Sequence, residues 1–81
     1  MTAIESIYEI EAAISDLQPY LQSRDRIVFK RARIRYAQLV DRFFRENVKD
    51  VKPEHRNGCL DDVGYFIEVI AEVKEAYNDQ I

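Results

Sequence analysis

Residues 23–48 read SRDRIVFKRARIRYAQLVDRFFRENV, a stretch with no Pro or Gly that carries eight of the chain's twelve Lys and Arg residues. At roughly 100° per residue, Phe29, Ala32, Tyr36, Leu39, Val40 and Phe43 share one apolar face of a helix. Ile27, Ile34, Ala37, Phe44 and Val48 form a second apolar band further round. A helix apolar on two sides is normally covered from two directions, which predicts a central helix. Ser23 is the expected N-cap, with Asp25 in the first turn. Arg24, Arg31, Arg35 and Arg42 project from nearly the same side, with Arg45 at its margin, and Arg26, Lys30 and Arg33 form a second basic group opposite, confined to the first half of the helix. Two readings compete for these side chains: ion pairs with flanking helices, or a surface that binds something acidic.

The flanking segments supply the acid. Residues 1–18 sum to −4, 19–48 to +5, 49–60 to +1 and 61–81 to −5, for a net −3. In the first segment, Ala3, Ile7, Ile10, Ile14, Leu17 and Leu21 alternate at spacings of three and four, one narrow helical face. Glu5, Glu9 and Asp16 lie on another. Thr2 and Glu5 have capping-box spacing, so a helix is expected to start near Ala3. Pro19 lacks an amide donor and disfavours helical geometry at Gln18, so this helix is expected to end or kink there.

Residues 49–58, KDVKPEHRNG, read as a loop, since Pro53 and Asn57-Gly58 are chain-reversal signals. A third helix is expected over about 60–78, with Val63, Phe66, Ile67, Ile70, Val73 and Tyr77 facing the core. Asp61, Glu68, Glu72 and Glu75 form its acidic face, and Asp61 and Asp62 suit the positive end of its dipole. Gly64 marks a later helix start or a close crossing. Tyr65, Val69 and Ala76 form a minor apolar strip, a second candidate contact surface.

The chain is therefore expected to be one all-α domain over 1–81. Its expected architecture is a three-helix antiparallel bundle, with helices over about 3–18, 23–48 and 60–78 and a loop over 49–58. At 81 residues the core is modest, and association is a common remedy for marginal stability, so a homodimer is expected.

Chemistry is sparse. Cys59 is the lone cysteine and His55 the lone histidine, and nucleophilic catalysis needs a base and an orienting group that nothing here specifies. The expected states are a buried Cys59 and a solvated loop His55, with the Asn57-Gly58 turn keeping them off a shared helical face. A tetrahedral zinc site needs about four ligands, mostly Cys and His, so no metal or other cofactor is expected. Small helical enzymes that clamp dianions with arginines on a long first helix do not fit, because the first helix here has none. No apolar run approaches the ~20 residues that cross a bilayer, and residues 1–11 lack the basic and apolar regions of a secretory signal. A cytoplasmic location is expected.

What remains is a non-enzymatic protein-interaction module, a small regulator, adaptor or inhibitor. It would bind an acidic partner through Arg24, Arg31, Arg35 and Arg42 or through Tyr65 and Val69, since Arg and Tyr commonly anchor protein interfaces. Nucleic-acid binding by the same arginine row is the alternative. The net negative charge and the acidic flanking segments count against it.

Overall fold

The computed structural model describes residues 3–79. All the regular structure among them is helical: α1 (Ala3–Leu21), α2 (Arg26–Asn47), α3 (Pro53–Asp61) and α4 (Val63–Asp79). Four helices replace the expected three, because most of the expected loop is helix. Pro53 sits at the first helical position, where its missing donor costs nothing and its fixed φ favours the helix. Asn57 and Gly58 lie inside α3 and make no turn. Tertiary packing holds this weak helix former: Cys59 is fully buried and Leu60 packs against the core. Helix C-termini leave carbonyls without intrahelical donors, and two side chains of α2 satisfy two of those of α3. The Tyr36 hydroxyl donates to Cys59 O, and Arg33 Nη2 donates to Leu60 O at 2.9 Å.

Asp62 joins α3 to α4 alone. Its amide donates to Gly58 O at 3.0 Å, and its Oδ1 accepts from the amides of Gly64 at 2.9 Å and Tyr65 at 3.4 Å. One residue thus closes α3 and caps α4, and Gly64 falls in the first turn of the new helix.

α3 also sets the direction of α4. Glu9 pairs with Arg42 while Ser6 reaches Glu46, and Glu11 pairs with Lys74 while Gln18 and Leu21 lie beside Val63 and Gly64, so α1 runs antiparallel to both α2 and α4. Arg56 pairs with Asp41 while Arg33 reaches Leu60, so α3 runs back along α2. α4 then starts beside Gln18 and Leu21 and runs parallel to α2. An up-down-up bundle would have made those two helices antiparallel.

The core is Ile7, Ile10 and Ile14 of α1, Tyr36, Leu39, Val40, Phe43 and Phe44 of α2, Cys59 of α3, and Phe66 and Ile70 of α4. The Phe66 ring stands edge-on to Tyr36, with centroids 5.8 Å apart. It meets Phe43 in the same way at 5.4 Å. Ring quadrupoles favour this arrangement over face-to-face stacking.

Several boundaries and faces differ from the sequence reading. α1 passes through Pro19 to Leu21, because Leu17 and Leu21 both pack against the core and hold the last turn. The N-cap of α2 is Asp25, whose Oδ1 accepts from the amides of Ile27 and Val28 at 2.9 and 3.2 Å. Ser23 instead supports that cap, its Oγ accepting from the Asp25 amide at 3.1 Å. The second apolar band closes only at Phe44 and Val48; Ile27, Ile34 and Ala37 are exposed, as is Phe29 at 41%. Ile67, expected in the core, borders an open groove between α1 and α4 and is exposed. The expected Thr2 cap lies outside the described residues.

Candidate protein-docking face

The arginine row splits in two along α2. Arg42 is held by its own bundle, its Nη1 2.8 Å from Glu9 Oε1 and its Nε 2.9 Å from Glu46 Oε1. Ser6 Oγ donates to the same Glu46 oxygen at 2.8 Å. The Ser6 hydroxyl first, and the guanidinium second, hold the Glu46 carboxyl below its ordinary range. Hydrogen bonds to Glu9 and Glu46 raise Arg42, since each bond favours the charged form of its partner. Arg45 lies 3.9 Å from Asp41, whose other oxygen is 2.7 Å from Arg56. Arg33 is occupied at Leu60 O and lies 5.4 Å from the Tyr36 ring centre. For Arg42, Arg45 and Arg33, internal contact is the answer.

Arg24, Arg26, Lys30, Arg31 and Arg35 are different. All five are exposed and none forms a hydrogen bond or ion pair among the described residues. Between them stand Ile27, 65% exposed, and Ile34, 61% exposed. These are seven residues apart, two turns along one side of the helix. Cations and aliphatic side chains thus alternate over the cap and first three turns of α2, where the bundle leaves its outward side uncovered.

A groove borders this face on the α1 side. Leu17 and Tyr20 of α1 and Val28, Arg31 and Ala32 of α2 line a cavity of about 260 Å³. Arg31 therefore belongs to both the basic face and the apolar groove. The Glu9–Arg42 pair fixes the antiparallel register, and a step of seven residues on each helix brings Asp16 opposite Arg35. Both are exposed, and they form no ion pair.

The second candidate surface is half-covered. Tyr65 and Val69 are partly buried against the core, and the Tyr65 ring lies over Gly58, where an added Cβ would sit 3.1 Å from Cε1. Val69 lines a cavity of about 320 Å³ with Phe44, Val48, Val51 and Val73. Covering by α3 is invisible to any reading that makes residues 49–58 a loop. The signal for the helix is Pro53-Glu54, a proline at the first helical position with an acid in the first turn.

His55 and Cys59 do share a helix, contrary to the sequence reading, four residues apart on α3. They still make no pair: Cys59 is fully buried, its thiol pushed up to about 11 by that burial, and His55 is exposed. Burial likewise raises the Tyr36 hydroxyl. Among the described residues no three His, Cys, Asp or Glu side chains gather in a metal-binding group, and no helix is long and apolar enough to cross a membrane. Searches against protein-family models, curated proteins and solved structures found no match.

Proposed function

We propose that this chain is a non-enzymatic binding module that docks an acidic protein surface on the outward side of the first half of α2. The observation that carries this reading is the set of five exposed cations at Arg24, Arg26, Lys30, Arg31 and Arg35, unpaired among the described residues and interleaved with the exposed Ile27 and Ile34. Although the chain carries a net −3, these cations are available to a partner at no cost in broken internal ion pairs. The aliphatic pair favours protein over nucleic acid. A phosphate backbone offers nothing apolar to cover two isoleucines, whereas an amphipathic acidic surface covers both kinds of side chain.

The homodimer expected from chain size would have to use another surface. A twofold contact through this face would set each chain's cations against the same cations of its mate, and like charges brought together in an interface repel.

The test is a fluorescence-anisotropy titration with a labelled acidic amphipathic peptide and, separately, labelled duplex DNA, at low and physiological salt. The peptide should bind, and the double variant Arg31→Glu, Arg35→Glu should lose at least tenfold in affinity with unchanged far-ultraviolet circular dichroism. The helix should survive because neither arginine side chain has a partner among the described residues. Tighter binding to DNA, with a log–log salt slope near −0.9 per phosphate contacted, would transfer the face to nucleic acid.

A further inference from the structure

We infer that the partner presents a short acidic segment with one bulky apolar anchor, and that the anchor enters the groove between the C-terminal end of α1 and the N-terminal half of α2. This rests on the acidic-partner reading and specifies what the partner must carry.

The groove and the cations are separate observations that meet at one residue. Leu17, Tyr20, Val28 and Ala32 give this open depression of about 260 Å³ an apolar lining against which a large side chain such as Phe or Leu can lie. Tyr20 is 55% exposed. Its ring is thus free to stand edge-on to an incoming aromatic side chain. Arg31 is the charged residue of the lining, and its side chain has no hydrogen-bond or ion-pair partner among the described residues. Arg24 precedes the Asp25 cap and lies outside α2, and Arg35 lies one turn after Arg31 on nearly the same side of the helix. A side chain seated in the groove would therefore bring the carboxylates next to it within reach of Arg31, with Arg24 and Arg35 taking those further along. Arg binds a carboxylate through two parallel N–H donors, which gives such a contact direction as well as charge.

The remainder of the row supports this placement. Arg42 closes on Glu9 of α1 at 2.8 Å, whereas Arg35, opposite Asp16, forms no ion pair among the described residues. Towards the other end of the same seam α1 offers Leu17 and Tyr20 at the groove, and the cation there stays open. Asp16, opposite Arg35, would compete with an incoming acid and sets the side from which the segment must approach.

The experiment compares three fluorescein-labelled peptides of equal length: one Phe among Asp and Glu, the same peptide with Phe replaced by Ser, and the Phe peptide with its acids replaced by Asn and Gln. Each is titrated by anisotropy against the wild-type chain and against Val28→Gln, which makes the groove lining polar. The acidic Phe peptide should bind at least tenfold more tightly than either of the others. Val28→Gln should erase the advantage of Phe over Ser while leaving the Ser peptide's affinity unchanged. Amide shifts in the wild-type protein on adding the Phe peptide should centre on Leu17, Tyr20, Val28 and Arg31, a readout that does not depend on a variant folding. Equal binding of the acidic Phe and Ser peptides would overturn the anchor and leave the acidic-partner reading intact. Equal binding of the acidic and amide Phe peptides, or no binding of either acidic peptide, would overturn both.

Discussion

Gly58 shows how one residue balances two effects of similar size. It lies in the interior of α3. A glycine there costs roughly 1 kcal/mol against alanine, so Gly58→Ala gains that much from the helix alone. The new Cβ would meet Tyr65 Cε1 at 3.1 Å, a few tenths of an ångström too close. Tyr65 is only half-buried, so its ring has room to give. Gly58→Ala should therefore change unfolding free energy by no more than about 0.5 kcal/mol, the helix gain nearly cancelling the contact. Gly58→Val, whose branch adds a second group towards the ring, should cost about 1–3 kcal/mol. Both are read from urea denaturation. Glu46 makes a different kind of prediction. Its folded-state pKa is depressed below the value of the free side chain, so its contribution is present above the unfolded-state pKa and is lost as pH falls through the folded one. The stability gap between wild type and Glu46→Gln should close as pH drops from about 7 to about 3. It should not exceed about 1 kcal/mol, because the pair is solvent-screened.

The helices themselves differ in how they are held. α2 is closed at its N-terminus by the Asp25 side chain, whereas the N-cap of α3, Lys52, makes no side-chain bond to the first turn and accepts the His55 amide only through its carbonyl. Lys52→Ser should stabilise the protein by about 0.5–1 kcal/mol, measured as an increase in the urea midpoint with unchanged slope. That weakness also explains why α3 is illegible in the sequence while α1, α2 and most of α4 are not. Long helices announce themselves by repetition: Ile7, Ile10 and Ile14 in α1, or Phe66 and Ile70 in α4, recur at helical spacing whatever surrounds them. α3 has one fully buried side chain, Cys59, and depends on Tyr36 and Arg33 from another helix, contacts that no local pattern encodes. A reading without α3 also misdirects α4, whose direction relative to α2 depends on the extra pass of the chain. The candidate site is legible in the same uneven way. Helical spacing places Arg31, Arg35 and Arg42 on one side of α2, but only the register against α1 separates Arg42, which meets Glu9, from Arg31, which meets an apolar groove. The exposure of Ile27 and Ile34 is equally hidden. An apolar band is legible in a sequence, but how far neighbouring helices extend to cover it is not.

At the scale of the whole molecule the charges that would help the proposed acidic partner and those that would hinder it sit at different distances. The basic face lies on α2, while the exposed Glu68, Glu72 and Glu75 belong to α4, in a bundle whose transverse extents are 24 and 19 Å. Screening decides which of these an approaching acidic partner feels. At about 0.15 M ionic strength the Debye length is about 8 Å, so the partner responds to the cations it is about to touch. At about 0.01 M it is about 30 Å, and the field of the whole chain is felt. That field carries a net −3. The association rate of the acidic Phe peptide should therefore rise less on lowering salt than five local cations alone would give. The double variant Glu68→Gln, Glu72→Gln should restore the missing rise, increasing the association rate severalfold at about 0.01 M and leaving it unchanged at about 0.15 M. Asp16→Asn acts at close range and should strengthen binding at both ionic strengths, since the carboxylate it removes stands opposite Arg35. Stopped-flow association at the two salts separates the cases. A gain from Asp16→Asn only at low salt would mean that Asp16 acts through the general field, and that the segment does not pass beside Arg35.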